Sequence, residues 1–165
     1  MPICNLSELP TFLSKNQCLL GLDYGSKVVG IAVSDPNWRV ASPLASLVRR
    51  KFPEDAAFMI KIIRERDIGG LIVGLPKNMD GSEGATAQAA RAFVRNLSRH
   101  PDVPLVDMPV AFWDERLSTA AIERFLIAGD MSRKRRDEVI DKAAAAYILQ
   151  GALDALHTKP LPSAI

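Results

Sequence analysis

A short, fully apolar run, Leu71-Ile72-Val73, lies between two segments with helical spacing and ends at Gly74. A segment that is apolar at every position offers no polar face to water, which is typical of a parallel strand buried on both faces. Parallel strands need long crossover connections, and helices are predicted on either side, at about 53–66 and 85–99. The run therefore predicts an α/β fold built around a central parallel strand.

Four further extended segments are predicted around this central strand. Residues 19–24 and 28–34 form two strands joined by Gly25-Ser26-Lys27, a length that suits a hairpin in which Gly25 supplies an unusual dihedral. A third strand is expected over 39–47, with an interruption at its proline, and another lies within 103–113. This order of elements predicts a mixed five-stranded sheet with helices on both faces, of the α/β class.

The predicted helices begin and end at recognisable signals. Pro53 suits the first turn of the helix over 53–66, and Phe58, Ile62 and Ile63 give that helix its spacing. The C-terminal part of the chain is assigned to a helix over 118–128, a basic loop over 131–136 and a last helix over 137–156.

The 165 residues suit one domain of a globular protein, with 48% hydrophobic and 24% charged residues. We expect an N-terminal extension over 1–16, the domain over 17–158 and a flexible tail over 159–165. The chain lacks both an apolar run of about 20 residues and a secretory signal layout, so we predict a cytoplasmic protein without a membrane partner. The two cysteines and two histidines do not form a zinc-binding pattern.

A net charge of +2 says little about partners, but the cations are unevenly distributed. Four of them follow one another at Arg133-Lys134-Arg135-Arg136. Such clusters can neutralise phosphates, and many are simply solvated. The cluster is therefore compatible with nucleic-acid binding and does not establish it.

Asp23 is an acid in an apolar strand, where burial disfavours its charge. The glycines at 21 and 25 leave room for a ligand near the backbone. A turn-forming aspartate at the end of a strand explains the residue equally well. This segment alone leaves the two interpretations open.

Two later segments also place acids beside apolar residues. Asp114 and Glu115 follow the strand that ends at Trp113, and alternation along a strand predicts that one of the two faces a site. Asp141 shares a helix face with Ala144 and Ile148, and small alanines would let this helix approach the sheet. A strand-to-helix junction and a helix-dipole effect are the structural alternatives.

Carboxylates without a histidine or cysteine cluster favour a hard cation, Mg²⁺ or Mn²⁺. Two such ions about 4 Å apart could activate water and stabilise the leaving oxygen of a phosphodiester. The glycine-rich loop 74–84 follows the central strand, at the end of a sheet where ligands usually bind. In it, Lys77 and Asn78 could contact phosphate or ribose, although a structural turn explains the glycines and Pro76 better.

Four stretches together resemble the YqgF family, also called RuvX, of pre-16S ribosomal RNA nucleases and Holliday junction resolvase-like proteins. The stretches are 21–27 with 30–35, 73–83, 113–119 and 140–144, which read Gly-Leu-Asp-Tyr-Gly-Ser-Lys with Gly-Ile-Ala-Val-Ser-Asp, Val-Gly-Leu-Pro-Lys-Asn-Met-Asp-Gly-Ser-Glu, Trp-Asp-Glu-Arg-Leu-Ser-Thr and Ile-Asp-Lys-Ala-Ala. They occur in the family's order, and the likeness extends over residues 18–157.

The resemblance implies a ribonuclease-H-like fold related to the RuvC resolvases. It also implies that Asp23, Glu115 and Asp141 are the catalytic and metal-binding acids, with Asp114 as the alternative ligand to Glu115. Asp23 would bridge two Mg²⁺ or Mn²⁺ ions. The residues assigned to the substrate backbone are Lys27, Lys77, Asn78, Arg116, Arg133, Lys134, Arg135 and Arg136.

The substrate implied by the family is RNA near the 5′ end of pre-16S ribosomal RNA, and ribosomal precursor particles are a further expected partner. Resolution of a four-way DNA junction is an alternative that requires a homodimer rather than a monomer. An ATPase related to actin or sugar kinases would need a second lobe. A non-catalytic RNA-binding module would show salt-sensitive binding without cleavage.

Overall fold

The computed structural model describes residues 2–101, 108–117 and 133–158, with the backbone alone at 117 and 133–139. Its strands are β1 (Cys18–Tyr24), β2 (Val28–Ser34), β3 (Ala41–Val48), β4 (Ile68–Leu75) and β5 (Val110–Asp114). Its helices are α1 (Leu9–Phe12), α2 (Phe52–Glu65), α3 (Ala85–Ser98) and α4 (Arg133–His157), and short 3₁₀ helices cover Leu6–Glu8 and Glu115–Leu117. The predicted helix over 118–128 lies outside the described residues.

The five strands form one sheet in the order β3-β2-β1-β4-β5. The meander β1-β2-β3 is antiparallel, whereas β4 pairs in parallel with both β1 and β5. This arrangement confirms the predicted mixed sheet with a central parallel strand. β4 is longer than the apolar run that predicted it, because the glycines that flank the run also lie in the sheet, and all of its residues are buried.

Two predicted features, the glycine of the β1–β2 turn and the interruption in the edge strand β3, can be compared with the structure. Gly25 does not adopt a left-handed dihedral, so the predicted reason for this glycine is wrong. A Cβ at Gly25 would instead lie 2.5 Å from the carbonyl oxygen of Val28. In β3, pairing with β2 shifts from Ala45 to Pro43, which is the predicted interruption. An edge strand tolerates this proline because its missing N–H can face solvent.

Helices cover both faces of the sheet and bury two apolar layers. α2 and α3 pack on the face that presents Leu20, Leu22 and Val73, and α4 packs on the face that presents Leu19 and Ile72. Phe58, used to predict α2, is 36% exposed, and the neighbouring Met59 is buried instead. The helix period fits both positions nearly equally, so packing against the sheet decided between them.

Two segments, the N-terminal one and the start of α4, pack or fold differently from what the sequence indicated. Ile3 forms a parallel bridge with Val110 at the β5 edge, and Leu9 is fully buried, so the segment separated as an extension packs against the core. The predicted basic loop is wrong in part, because α4 already begins at Arg133. Arginine and lysine are good helix formers, and a cluster of them can continue a helix. Among the described residues, no helix is both long enough and apolar enough to cross a membrane.

Candidate functional site

Asp23 lies near the C-terminal end of β1, on the face of the sheet that α4 covers. Gly21, two residues earlier and therefore on the same face, lies so close to α4 that a Cβ on it would stand 2.7 Å from Leu149 Cβ. Asp23 pairs with Gly30 of β2, and its side chain is half-buried. On the β4 side the register pairs Leu22 with Val73, so Gly74 follows beside Asp23.

Gly30 lets α4 approach the sheet beside Asp23. A Cβ built on Gly30 would lie 2.6 Å from the backbone carbonyl carbon of Asp141, and closer still to the carbonyl oxygen. The missing side chain therefore makes room for the backbone of α4 at Asp141. Ala145, which shares the helix face of Asp141, is fully buried against the sheet. The close approach predicted from the small residues of this helix is thus observed.

Gly74 has the corresponding place on the other side of Asp23. A Cβ built on it would lie 2.7 Å from Glu115 Oε1 and 2.6 Å from Ile148 Cδ1 of α4. The Glu115 carboxylate therefore lies on the α4 face of β4. The half-buried side chains of Asp23, Glu115 and Asp141 consequently belong to the same face and the same end of the sheet. As they stand, the His, Cys, Asp and Glu residues described do not form any group of three or more that could hold a metal ion.

Asp114 has a different environment from its neighbour Glu115. Arg116 donates to both of its carboxylate oxygens, from Nη2 at 2.6 Å and from Nε at 3.0 Å. These hydrogen bonds hold the pKa of Asp114 below its usual range. Strand alternation puts Asp114 on the side of Phe112, which packs against the α2–α3 layer, and so opposite to Asp23. The geometry thus favours Glu115 over Asp114 as the partner of Asp23.

A cleft of about 290 Å³ opens beside Asp141, between the β1–β2 turn and the N-terminal half of α4. Its lining residues are Gly25, Ser26, Lys27, Val28, Ile140 and Asp141. Lys27 is exposed and lines this cleft together with Asp141. One of the residues predicted to bind the substrate backbone, Lys27, therefore shares a cleft with one of the predicted acids.

The loop after β4 is a turn closed by its own hydrogen bonds. Lys77 and Glu83 bridge its ends, the Asn78 N–H donates to the Ser82 carbonyl oxygen at 2.8 Å, and Gly81 has a φ of 86°. Asn78 also donates from Nδ2 to Ser82 Oγ at 2.9 Å. Arg116 Nη1 donates to the carbonyl oxygen of Asn78 at 3.2 Å. In this structure Asn78 and Arg116 hold the turn, as the structural interpretation of the loop expects.

A second ion pair fixes the base of the same loop and was not predicted from the sequence. Arg91 of α3 donates from Nε and Nη2 to the two oxygens of Glu83, each at 2.7 Å. The Arg91 guanidinium also lies 4.4 Å from the centre of the Phe112 ring. The eight-residue separation matches no local pairing rule, so only the packed structure reveals this contact. The side chains of the predicted basic cluster, Arg133, Lys134, Arg135 and Arg136, lie outside the described residues.

Comparison with known proteins places this geometry in context. A family model described as "RuvX: Holliday junction resolvase" matches residues 17–155. Relatives named "Putative pre-16S rRNA nuclease" include a protein of Rhodospirillum centenum that is 54% identical, with 95% of this chain and 84% of that protein covered. One of Paracoccus denitrificans is 54% identical over 94% of this chain and 96% of that protein. One of Ruegeria sp. strain TM1040 is 55% identical over 88% and 89%.

A similar solved structure carries the description "T. thermophilus RuvC in complex with Holliday junction substrate". Its TM-score is 0.52 at 14% sequence identity, and the match covers 88% of this chain and 99% of that chain. At this identity the likeness concerns the fold, and it confirms the predicted ribonuclease-H-like class.

Proposed function

The chain belongs to the RuvX family, and from this premise we propose that it is a metal-dependent nuclease that hydrolyses phosphodiester bonds in pre-16S rRNA. Asp23, Glu115 and Asp141 are its proposed catalytic acids. The observation that supports this assignment is that all three acids lie on the α4 face of the sheet. There α4 closely approaches Gly30, and Glu115 closely approaches Gly74. The RNA substrate follows from the names of the relatives.

The chemistry of the proposed ligands fits Mg²⁺ or Mn²⁺, because all three side chains offer carboxylate oxygens. Asp23, Glu115 and Asp141 would hold the cation, and the number of ions stays a prediction. When bound, such a cation supplies charge stabilisation at the phosphoryl oxygens and activates water. Since the three acids do not form a ready-made ligand group, their side chains would have to turn toward each other on binding.

The protein's own residues have two further tasks in this proposal. Lys27, exposed at the cleft beside Asp141, would bind the phosphate backbone through its ammonium group. Arg116 and Glu83 would act as positioning residues, because they hold the turn of residues 77–83 through Asn78 and Arg91. The cluster Arg133–Arg136 remains a proposed backbone contact near the start of α4.

The test compares single carboxylate-to-amide variants in the full-length chain. Asp23→Asn, Glu115→Gln and Asp141→Asn should each lower cleavage of an RNA with the pre-16S 5′ region by about 100-fold or more, as is typical when a stabilising group is removed from a site. Asp114→Asn is the matched control and should stay within a few-fold of the unmodified chain. The same substitutions should weaken Mn²⁺ binding measured by calorimetric titration, which does not depend on cleavage.

Full activity of folded Asp23→Asn would rule out the assigned role, and a loss limited to Asp114→Asn would move the metal site to the other face. A four-way DNA junction serves as the second substrate. Its cleavage in preference to RNA, together with a homodimer in solution, would favour junction resolution. Salt-sensitive RNA binding without cleavage in the presence of either Mg²⁺ or Mn²⁺ would favour a non-catalytic RNA-binding module.

A further inference from the structure

Arg49 stands just beyond β3, on the opposite side of the β1–β2 turn from Lys27 and Asp141. Its Nη1 donates to the carbonyl oxygen of Ser26 at 2.9 Å, and its guanidinium lies 4.6 Å from the centre of the Tyr24 ring. Its Nε is buried and donates to no acceptor among the described residues. The guanidinium is thus held in place by a backbone carbonyl and an aromatic ring, while its Nε–H is left without a protein acceptor among the described residues.

Arg49 lines a cleft of about 280 Å³ on the α2–α3 side of the sheet. Its lining includes Tyr24, Arg49, Arg50, Phe52, Ala92 and Asn96. Its volume is near the lower end of the roughly 300–1,000 Å³ found for small-molecule sites, which suits one nucleotide better than a larger ligand. An aromatic ring beside guanidinium groups is the usual surface on which unpaired bases stack.

The charge of this cleft also suits a phosphate. Arg49 and Arg50 bring two cations, and Asp55 brings one carboxylate. Asp55 is buried, with 3% of its surface exposed, and both of its oxygens face the backbone N–H of Arg50, at 3.1 and 3.3 Å. The side chain of Arg50 is exposed, and these hydrogen bonds of Asp55 go to the Arg50 backbone rather than to its guanidinium.

The two clefts lie on either side of the same short turn. Gly25, Ser26 and Lys27 line the cleft that contains Asp141, and the carbonyl oxygens of Ser26 and Lys27 accept from Arg49 at 2.9 Å on the other side. Tyr24, which directly follows Asp23 along β1, lines the Arg49 cleft. A single strand that crosses the turn would therefore pass from one cleft to the other.

We propose that the Arg49 cleft binds one unpaired nucleotide of a single-stranded nucleic acid, next to the phosphodiester held at the acidic site. The base stacks against Phe52 and the Arg49 guanidinium, and Arg50 binds the phosphate. This assignment rests on the proposed nuclease function, because it takes the acidic site as the place of the scissile bond.

Binding without cleavage tests this cleft separately from the nuclease activity. The full chain in EDTA is titrated against a fluorescein-labelled hexanucleotide, as RNA and as DNA of the same sequence, by fluorescence anisotropy. Arg50→Ala removes the exposed cation, and Ala92→Trp fills the cleft without removing a polar group. Arg95→Ala is the control, since it removes an exposed arginine of α3 that does not line the cleft.

We expect Arg50→Ala to weaken binding of at least one hexanucleotide about fivefold and Ala92→Trp about tenfold or more, as loss of one stacked base typically does. The Arg95→Ala control should change it less than about twofold. A comparison of the RNA and DNA results shows which strand the cleft accepts. Circular dichroism checks that each variant is folded, and the Arg50→Ala result stands if the tryptophan variant is not.

A hexanucleotide in which one base at a time is replaced by an abasic residue locates the base. At one position the abasic substitution should weaken binding to the unmodified chain and have no further effect on Ala92→Trp, from which the base is already excluded. Equal losses for Arg50→Ala and Arg95→Ala, or equal abasic effects on both proteins at every position, would overturn the proposal. A cleavage assay that fails while these binding results hold would refute the nuclease function alone.

Discussion

Substitution of Gly30 by alanine tests whether the approach of α4 to β2 places Asp141 at the site. In a strand, alanine is ordinarily more stable than glycine by roughly 0.5–1 kcal/mol, so an open position would give a more stable protein. At Gly30 the added Cβ would lie 2.6 Å from the carbonyl carbon of Asp141 and still closer to the oxygen. Because these are backbone atoms of a 25-residue helix, no side-chain rotation relieves the clash.

The cost is expected at the upper end of the range for overpacking, about 3 kcal/mol. In a domain of this size, each kcal/mol lowers the midpoint of thermal unfolding by about 2–4 °C, so the fall should be roughly 6–12 °C. Urea unfolding followed by circular dichroism measures the free energy directly. At a temperature where the variant is folded, displacement of Asp141 should also lower RNA cleavage.

Gly84→Ala is the matched control, since a Cβ there meets nothing within 4 Å. Gly84 precedes α3 as its N-cap, where alanine is somewhat worse than glycine, and the change in unfolding free energy should stay below about 1 kcal/mol. If Gly30→Ala proved as stable as the unmodified chain or as Gly84→Ala, α4 would not pack on β2 as described. Asp141 would then not lie beside Asp23 on this face of the sheet.

Two further predictions concern neighbouring contacts. Gly74→Ala should cost only about 1 kcal/mol in thermal or urea unfolding, because its Cβ meets the ends of the flexible side chains Ile148 and Glu115; a loss larger than that of Gly30→Ala would contradict this ranking. Glu83→Gln tests the ion pair with Arg91, whose hydrogen bonds lower the pKa of Glu83 in the folded protein. The stability that these bonds contribute is therefore present above the pKa of Glu83 in the unfolded chain, about 4.3, and is lost as the pH falls through its pKa in the folded protein. Urea unfolding should therefore show a deficit of about 0.5–1 kcal/mol at pH 7 for this partly exposed pair, shrinking toward pH 3; a deficit that grew on acidification would reverse the sign we derive.

The sequence by itself determined the class of fold and the candidate acids. The apolar run 71–73 indicated a strand buried on both faces, and the structure places it in β4, which pairs in parallel with both of its neighbours. Asp23, the pair Asp114-Glu115 and Asp141 stood out because a carboxylate among apolar neighbours is costly without a purpose. Both inferences depend on residues close in sequence, and four ordered motifs led to the family that the comparisons establish.

Only the tertiary structure decided which residues from distant parts of the chain lie in contact. Gly30 and Asp141 are far apart in the chain, and their contact depends on how α4 crosses the sheet. The proposed preference for Glu115 over Asp114 depends on which face of the sheet each side chain reaches once Arg116 has paired with Asp114. The cleft at Arg49 likewise brings together β1, the end of β3 and two helices. Periodicity reports the burial of each segment separately, whereas these contacts arise from packing between segments and become visible only when the fold is complete.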